Sequence, residues 1–277
     1  MKILKFGGKS LANGEGLQKV IQTIAQKYFN NEPIAVVVSA RGNATDELVI
    51  LLKKAQAKIE FQNDFEQFKK YQFEGLKENI FEEEFTVIQK LLEGVSLLGD
   101  YSEKIKDQVI AYGEILSAKY VAYVLNENSI KAQFVDSRQL IKTDANFGNA
   151  QPIEATSKQN ILEYFVKNGD KVNIITGFIG STVLNETTTL GRNGSNYTAS
   201  LIANYLNAEE FQNYTHVDGI FTANPDLVAD AKKIERLSFN EANELANFGA
   251  QILHAKTIIP LVEKNIPLRI LNTFNPE

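Results

Sequence analysis

Ile34-Ala35-Val36-Val37-Val38-Ser39-Ala40 decides the fold class of this chain. The run follows Pro33, is continuous and β-branched, and lacks polar alternation, as expected of a strand buried on both faces of a parallel sheet. It ends in Ser39, Arg41, Asn43, Thr45 and Asp46. In open α/β sheets ligands gather beyond the carboxyl ends of the strands, so these polar side chains are placed to line a site. Upstream, Lys2 to Phe6 predicts another strand, broken by Gly7-Gly8 and followed by a helix with Leu17, Val20, Ile21, Ile24 and Ala25 at helical spacing. Gly8-Lys9-Ser10 is not a P-loop, because the glycine that motif needs five residues earlier is Ile3. What remains is Lys5 at a strand end and two glycines whose bare backbone can approach phosphates closely.

Downstream the pattern turns helical from Leu48 to about Asn126. Leu48, Leu51, Leu52, Ala55 and Ile59 make one stripe, Phe81, Phe85, Ile88, Leu92 and Val95 a second, and Ile105, Val109, Tyr112 and Leu116 a third. Phe61, Phe65, Phe68 and Tyr71 read as core. Glu114 lies off the third stripe, where an acidic residue is expected on the solvated surface. Lys131 to Val135 predicts a strand ending in Asp136-Ser137-Arg138, and Asn146 to Pro152 a polar connection. Val172 to Gly180 reads as a buried strand entering a glycine loop, and Phe211 to Val217 as a further strand. Asp218-Gly219 before Ile220-Phe221 suggests a hairpin that Asn224-Pro225-Asp226 closes. Ser238-Phe239-Asn240-Glu241 has capping-box spacing and starts a helix through Leu245 and Phe248, interrupted at Gly249. Another helix carries Ile252, Leu253, Ile258 and Ile259, and Pro267 to Leu271 is a last strand. Alternating strands and helices indicate a sheet between helical layers.

Thr187-Thr188-Thr189-Leu190-Gly191-Arg192-Asn193-Gly194-Ser195 precedes an amphipathic helix with Ser195 as its expected cap. Backbone N–H groups, the positive helix end and the planar fork of Arg192 make this an anion site, although a glycine-rich turn alone is only a turn. Composition narrows the ligand. At 277 residues, with 44% hydrophobic and 23% charged residues, the chain suits one large α/β domain or two small ones. A net charge of −5 without dense Lys/Arg runs speaks against nucleic acid or anionic membrane as partner. The absence of cysteine excludes disulfides and thiolate metal sites, and His216 and His254 are too few for a histidine zinc site. No apolar run is long enough to span a bilayer and the start has too short an apolar stretch for a signal peptide, so a cytoplasmic location is expected.

Five segments together carry a resemblance to the aspartate kinase (aspartokinase) family of the amino-acid kinase fold. They are Lys5-Phe6-Gly7-Gly8-Lys9-Ser10, Val38-Ser39-Ala40 with Thr45, Gly113-Glu114, the segment from Thr188 to Ser195, and Phe248-Gly249-Ala250 with Leu253-His254. Gly191-Arg192-Asn193-Gly194-Ser195 is closer to the kinase part of bifunctional aspartokinase/homoserine dehydrogenases. The resemblance implies an α/β fold, a three-layer α/β/α sandwich with a largely parallel central sheet and a helical insertion at about 46–128. It implies a catalytic domain over 1–277, with C-terminal regulatory domains, and possible fusion to homoserine dehydrogenase, beyond this chain. It further implies a homodimer and phosphoryl transfer from ATP, with Mg²⁺ on the nucleotide, to the side chain of L-aspartate, the first step of lysine, threonine and methionine biosynthesis.

By the same resemblance the acceptor is held by Ser39, Thr45, Glu114, Phe178, Arg192, Gly194 and Ser195, and the nucleotide by Lys5, Gly7, Gly8, Ser10, Thr215, His216 and Phe221. Lys5 and Asn196 take the catalytic positions, and no residue is assigned as a metal ligand. There are departures from the family pattern. Asn196 and His216 stand where aspartate is usual, Asn224 and Asp226 replace the residues flanking Pro225, Gln251 replaces a lysine, and Lys9 a threonine. Two alternatives follow: an aspartate-binding pseudokinase with a regulatory role, or a kinase of the same fold with another acceptor.

Overall fold

The computed structural model describes residues 1–223, 228, 230–247 and 255–275. In chain order the elements begin with β1 (Lys2–Phe6), α1 (Glu15–Phe29) and β2 (Ile34–Val38). Four successive helices follow, α2 (Ala44–Gln56), α3 (Gln62–Phe73), α4 (Glu82–Leu98) and α5 (Glu103–Glu127). Next come β3 (Ala132–Val135), β4 (Lys142–Thr143), α6 (Glu154–Asn168), β5 (Val172–Thr176), β6 (Ile179–Thr182), β7 (Thr187–Thr189) and α7 (Gly194–Tyr205). The chain continues through β8 (Glu210–Thr215), β9 (Ile220–Phe221), β10 (Lys233–Ile234), α8 (Phe239–Asn247), α9 (Ala255–Val262) and β11 (Leu268–Asn272).

The main sheet has the order β11-β8-β1-β2-β5-β3, and every pairing in it is parallel. Strand periodicity divides its residues between two cores. Leu4, Phe6, Val36, Val38 and Ile174 pack with α1 and with α2 to α5, whereas Ile3, Ala35, Val37 and Ile175 pack with α6, α7 and α9. Because both faces are covered, β1, β2 and β5 are buried almost throughout, and the result is a three-layer α/β/α sandwich. β4, β6 and β7 form a small separate sheet beside it. Among the described residues no helix is long and apolar enough to cross a membrane.

Several expectations change on inspection. Val172 to Gly180 is two strands, divided at Gly177-Phe178, where Phe178 adopts φ 67° and turns the chain out of the main sheet. Asp218-Gly219 makes no hairpin between β8 and β9. Both edges of β8 are already paired, with β1 and β11, so β9 pairs with β10 instead. Residues 224–226 of the expected turn lie outside the described residues, as do 248–254 around Gly249. Ile59 falls after the end of α2 and is exposed. The Ser238 capping box forms as read: Glu241 Oε2 accepts from Ser238 N (2.8 Å) and Glu241 N donates to Ser238 Oγ (3.2 Å).

Candidate active site

Three loops leave the carboxyl ends of β1, β2 and β5 and meet at one rim of the sheet, held to each other by backbone hydrogen bonds. Ser39 N donates to Phe6 O (3.1 Å), Gly42 N to Gly8 O (3.0 Å) and Gly177 N to Val38 O (2.9 Å). Gly8 permits this closeness, since a Cβ there would lie 2.8 Å from Ala40 O. The fourth wall is the first turn of α7, where a Cβ on Gly194 would meet the Phe178 ring at 2.6 Å. Helix α7 starts one residue earlier than a Ser195 cap requires. Asn193 precedes it in the left-handed conformation (φ 59°), tolerated by asparagine, and no side chain caps it, so Ser195 is part of the first turn.

These walls enclose a cleft of about 500 Å³ lined by Lys5, Gly8, Ser39, Thr45, Glu114, Phe178, Arg192, Gly194, Ser195 and Asn196. Lys5 and Arg192, from opposite halves of the sequence, thus share one cavity. Asn43, Asp46, Lys106 and Asp107 complete it. Gly7, Ser10, Thr215, His216 and Phe221 stand apart from this lining. Gly7 donates to Tyr214 O (3.3 Å) beside the end of β8, and Thr215 ends that strand. His216 Nε2 lies 3.4 Å from Lys9 Nζ, and its pKa is lowered by burial and by that lysine. Phe221 is in β9. Ser10 is fully buried and its Oγ accepts from Thr273 Oγ1 at 2.6 Å, so its hydroxyl is engaged inside the protein. Asp226 and Gln251 lie outside the described residues.

Glu114 overturns the expectation of a solvated side chain. Helix α5 runs for 25 residues and is covered on nearly all sides, so an off-stripe position is also interior, and Glu114 is 3% exposed. Its Oε1 accepts from Ala40 N (3.2 Å), while Oε2 is buried with no partner among the described residues. Burial raises the Glu114 pKa to about 8, against the opposing effects of backbone donors and Lys5. Burial likewise lowers Lys5 to about 8, against the pull of Glu114. Asn196 Oδ1 is a second buried, unpartnered oxygen in the lining. Both oxygens have acceptor capacity that only a ligand or water can satisfy.

The profile of the amino acid kinase family matches residues 1–272. The chain belongs to the amino acid kinase family. Lysine-sensitive aspartokinase 3 of Escherichia coli is 32% identical over 99% of this chain, which spans 62% of that protein. A bifunctional aspartokinase/homoserine dehydrogenase of Haemophilus influenzae is 34% identical over 100% of this chain, which spans 35% of it. Among solved structures, E. coli aspartokinase III in complex with aspartate and ADP matches with a TM-score of 0.90 at 32% identity, covering 100% of this chain and 63% of that one. A UMP kinase from Bacillus anthracis, at 14% identity and a TM-score of 0.54, shares the fold.

Two features of this family member escaped the sequence reading. Arg41, expected with its neighbours after β2 to line a site, is instead outside the cleft lining and 0% exposed. Its guanidinium sits 3.6 Å from the Tyr120 ring centroid and 5.6 Å from that of Tyr71, and donates to Gln72 O (3.0 Å) and to Asn13 Oδ1. It makes no ion pair among the described residues. The other is Asp107, also 0% exposed. It lies seven residues before Glu114, two helical turns along the same face, and shares the burial that was not expected for Glu114.

Proposed function

We propose that the chain transfers the terminal phosphoryl group of ATP to the side-chain carboxylate of L-aspartate, giving 4-phospho-L-aspartate and ADP. The observation that carries this reading is the convergence of Lys5, Glu114 and Arg192 on one cleft. That layout of charge complements an amino-acid zwitterion with a second carboxylate, brought against a polyphosphate. A relative of the same fold binds aspartate and ADP in its solved complex.

The attacking carboxylate, with a reference pKa of about 3.9, is ionised at neutral pH and needs no general base. The obstacle is that two anions must meet in line. Lys5, charged below about pH 8, neutralises the transferring group from a buried position where its field is little screened. Arg192 holds a carboxylate of the acceptor with its planar fork, and Ser39, Thr45 and Ser195 add hydroxyl groups. The acceptor's ammonium group pairs with Glu114 and draws that carboxyl back to its ionised form. Phe178 and Gly194 shape the wall around the acceptor. Asn196 supplies an amide where its family has a carboxylate, which weakens positioning and leaves the chemistry intact.

Mg²⁺ enters as part of the nucleotide substrate; among the described residues no group of three His, Cys, Asp or Glu is arranged to hold a metal. The nucleotide runs past Gly7 and Gly8 towards Thr215, His216 and Phe221. A homodimer, a cytoplasmic location and further domains in the native protein belong to the same reading. The test is ATP-dependent acyl phosphate trapped as hydroxamate, with L-aspartate, L-glutamate or no acceptor. Product with aspartate alone is expected. Equal product with glutamate, or none from folded protein, overturns the reading in favour of another acceptor or a pseudokinase respectively.

A further inference from the structure

Asp107 is a buried carboxylate at the cleft with no assigned role; it is engaged by the end of β7 with the loop that follows it and by the loop around Gly148, and it has no ion pair among the described residues. Its Oδ2 accepts from Gly148 N (2.8 Å) and from Thr189 N (2.9 Å), and its Oδ1 from Thr189 Oγ1 (2.8 Å). The two loops are also joined directly, because Ala150 N donates to Thr189 O (2.9 Å). Lys256 Nζ bridges the same pair, donating to Asn149 Oδ1 (2.7 Å) and Leu190 O (3.4 Å). Thr189 is followed three residues later by Arg192. Seven residues along the same helix, Glu114 holds the other wall through Ala40 N (3.2 Å). The two carboxylates are therefore spaced about 10 Å along one rigid axis.

We propose that Asp107 is a positioning residue that sets the distance between the Arg192 wall and the Glu114 wall, and so determines affinity for the amino-acid acceptor without contacting it. This deepens the aspartate kinase reading and rests on it for the identity of the acceptor. The physical reason is pre-organisation: a loop carrying a long arginine presents its fork at a fixed place only if its backbone donors have a fixed acceptor. A buried carboxylate accepting three hydrogen bonds is a strong anchor, and its removal leaves two buried donors and a half-buried one unpaired. Burial raises the Asp107 pKa while the Gly148 and Thr189 donors oppose the rise, so the loops also help to keep it ionised.

The test uses Asp107→Ala, which removes both acceptor oxygens, with Thr189→Val and Thr189→Ser as a graded pair. In Asp107→Ala, amide exchange at Gly148 and Thr189 is expected to accelerate by about tenfold or more, while β1 and β2 stay protected. The KM for L-aspartate is expected to rise about tenfold, with the KM for ATP changed less than about twofold. Thr189→Val should show a smaller rise in the same constant, and Thr189→Ser, which restores the hydroxyl, should return it towards the parent value. Unchanged exchange at both amides overturns the proposal, and so does a parallel change in both KM values with a lowered melting temperature, which marks a purely structural role. If the parent protein phosphorylates no amino acid, the aspartate kinase reading fails, and the exchange measurement still decides whether Asp107 holds the two loops.

Discussion

On the proposed acceptor side of the cleft, Ala40, Gly148 and Thr189 each donate from backbone to a buried carboxylate of one helix, whereas around His216, on the proposed nucleotide side, the described contacts run between exposed side chains at greater distance. Glu114 and Asp107 accept at 2.8 to 3.2 Å from buried or half-buried backbone groups. Lys9 and Thr215 reach His216 only at 3.4 Å each, next to a two-residue strand, β9. Of the departures from the family pattern, His216 and Lys9 fall on the loosely tied side and Asn196 in the buried lining. A buried polar network tolerates few exchanges because each partner lost leaves another unsatisfied, while exposed contacts can be replaced at little cost. The acceptor half of the site is the more constrained half.

Substitutions can break this contrast. Lys5 faces both halves, so Lys5→Met should have the largest effect, lowering kcat by about 100-fold or more in the hydroxamate assay. Glu114→Gln comes next, raising the KM for L-aspartate about 30-fold and that for ATP only slightly. It also carries a pH signature. In the free enzyme Glu114 is protonated below about 8 and cannot pair with an ammonium group, and above about 8 Lys5 loses its charge. kcat/KM should therefore peak near pH 8 and fall on both sides, with apparent values that belong to the coupled pair. Glu114→Gln should remove the acid limb, and an unaltered limb would assign it to another group.

Arg41→Met sharpens the contrast through stability. The variant loses the contact with the Tyr120 ring and leaves Gln72 O and Asn13 Oδ1 without their donor, so Tm should fall by about 5 °C. Asn196→Asp should raise turnover about threefold by restoring a carboxylate beside the acceptor, and unchanged turnover would show that the amide is not limiting. The smallest effect is expected at the exposed nucleotide side. His216→Asp should change the KM for ATP by less than about threefold, and a larger change would show that this half is as constrained as the other.

Much of the architecture was legible in local pattern. The run from Ile34 to Val38, the stripe from Phe81 to Val95 and the Ser238 capping box report on neighbours two to four residues away, and such short-range periodicity survives any arrangement of the whole. The course of the chain after Gly177 was less accessible. Whether β6 continues the main sheet depends on a single left-handed Phe178, which Thr198 of α7 supports by accepting from its N–H at 3.1 Å. The failed hairpin at Asp218-Gly219 has the same origin, since pairing partners for β8 come from β1 and β11, distant in the chain.

Amino-acid order alone was enough to read a doubly covered parallel sheet and glycine-bounded turns carrying Lys5 and Arg192, because strand patterning and such turns are local properties with local causes. The burial of Glu114, Asp107 and Arg41 had to wait for the folded molecule. An acidic or basic side chain on a helix or loop is solvated until other layers close over it, and its pKa, its partners and its usefulness are set by that closure. Desolvation is a property of the assembled neighbourhood, and no spacing of residues along α5 encodes it.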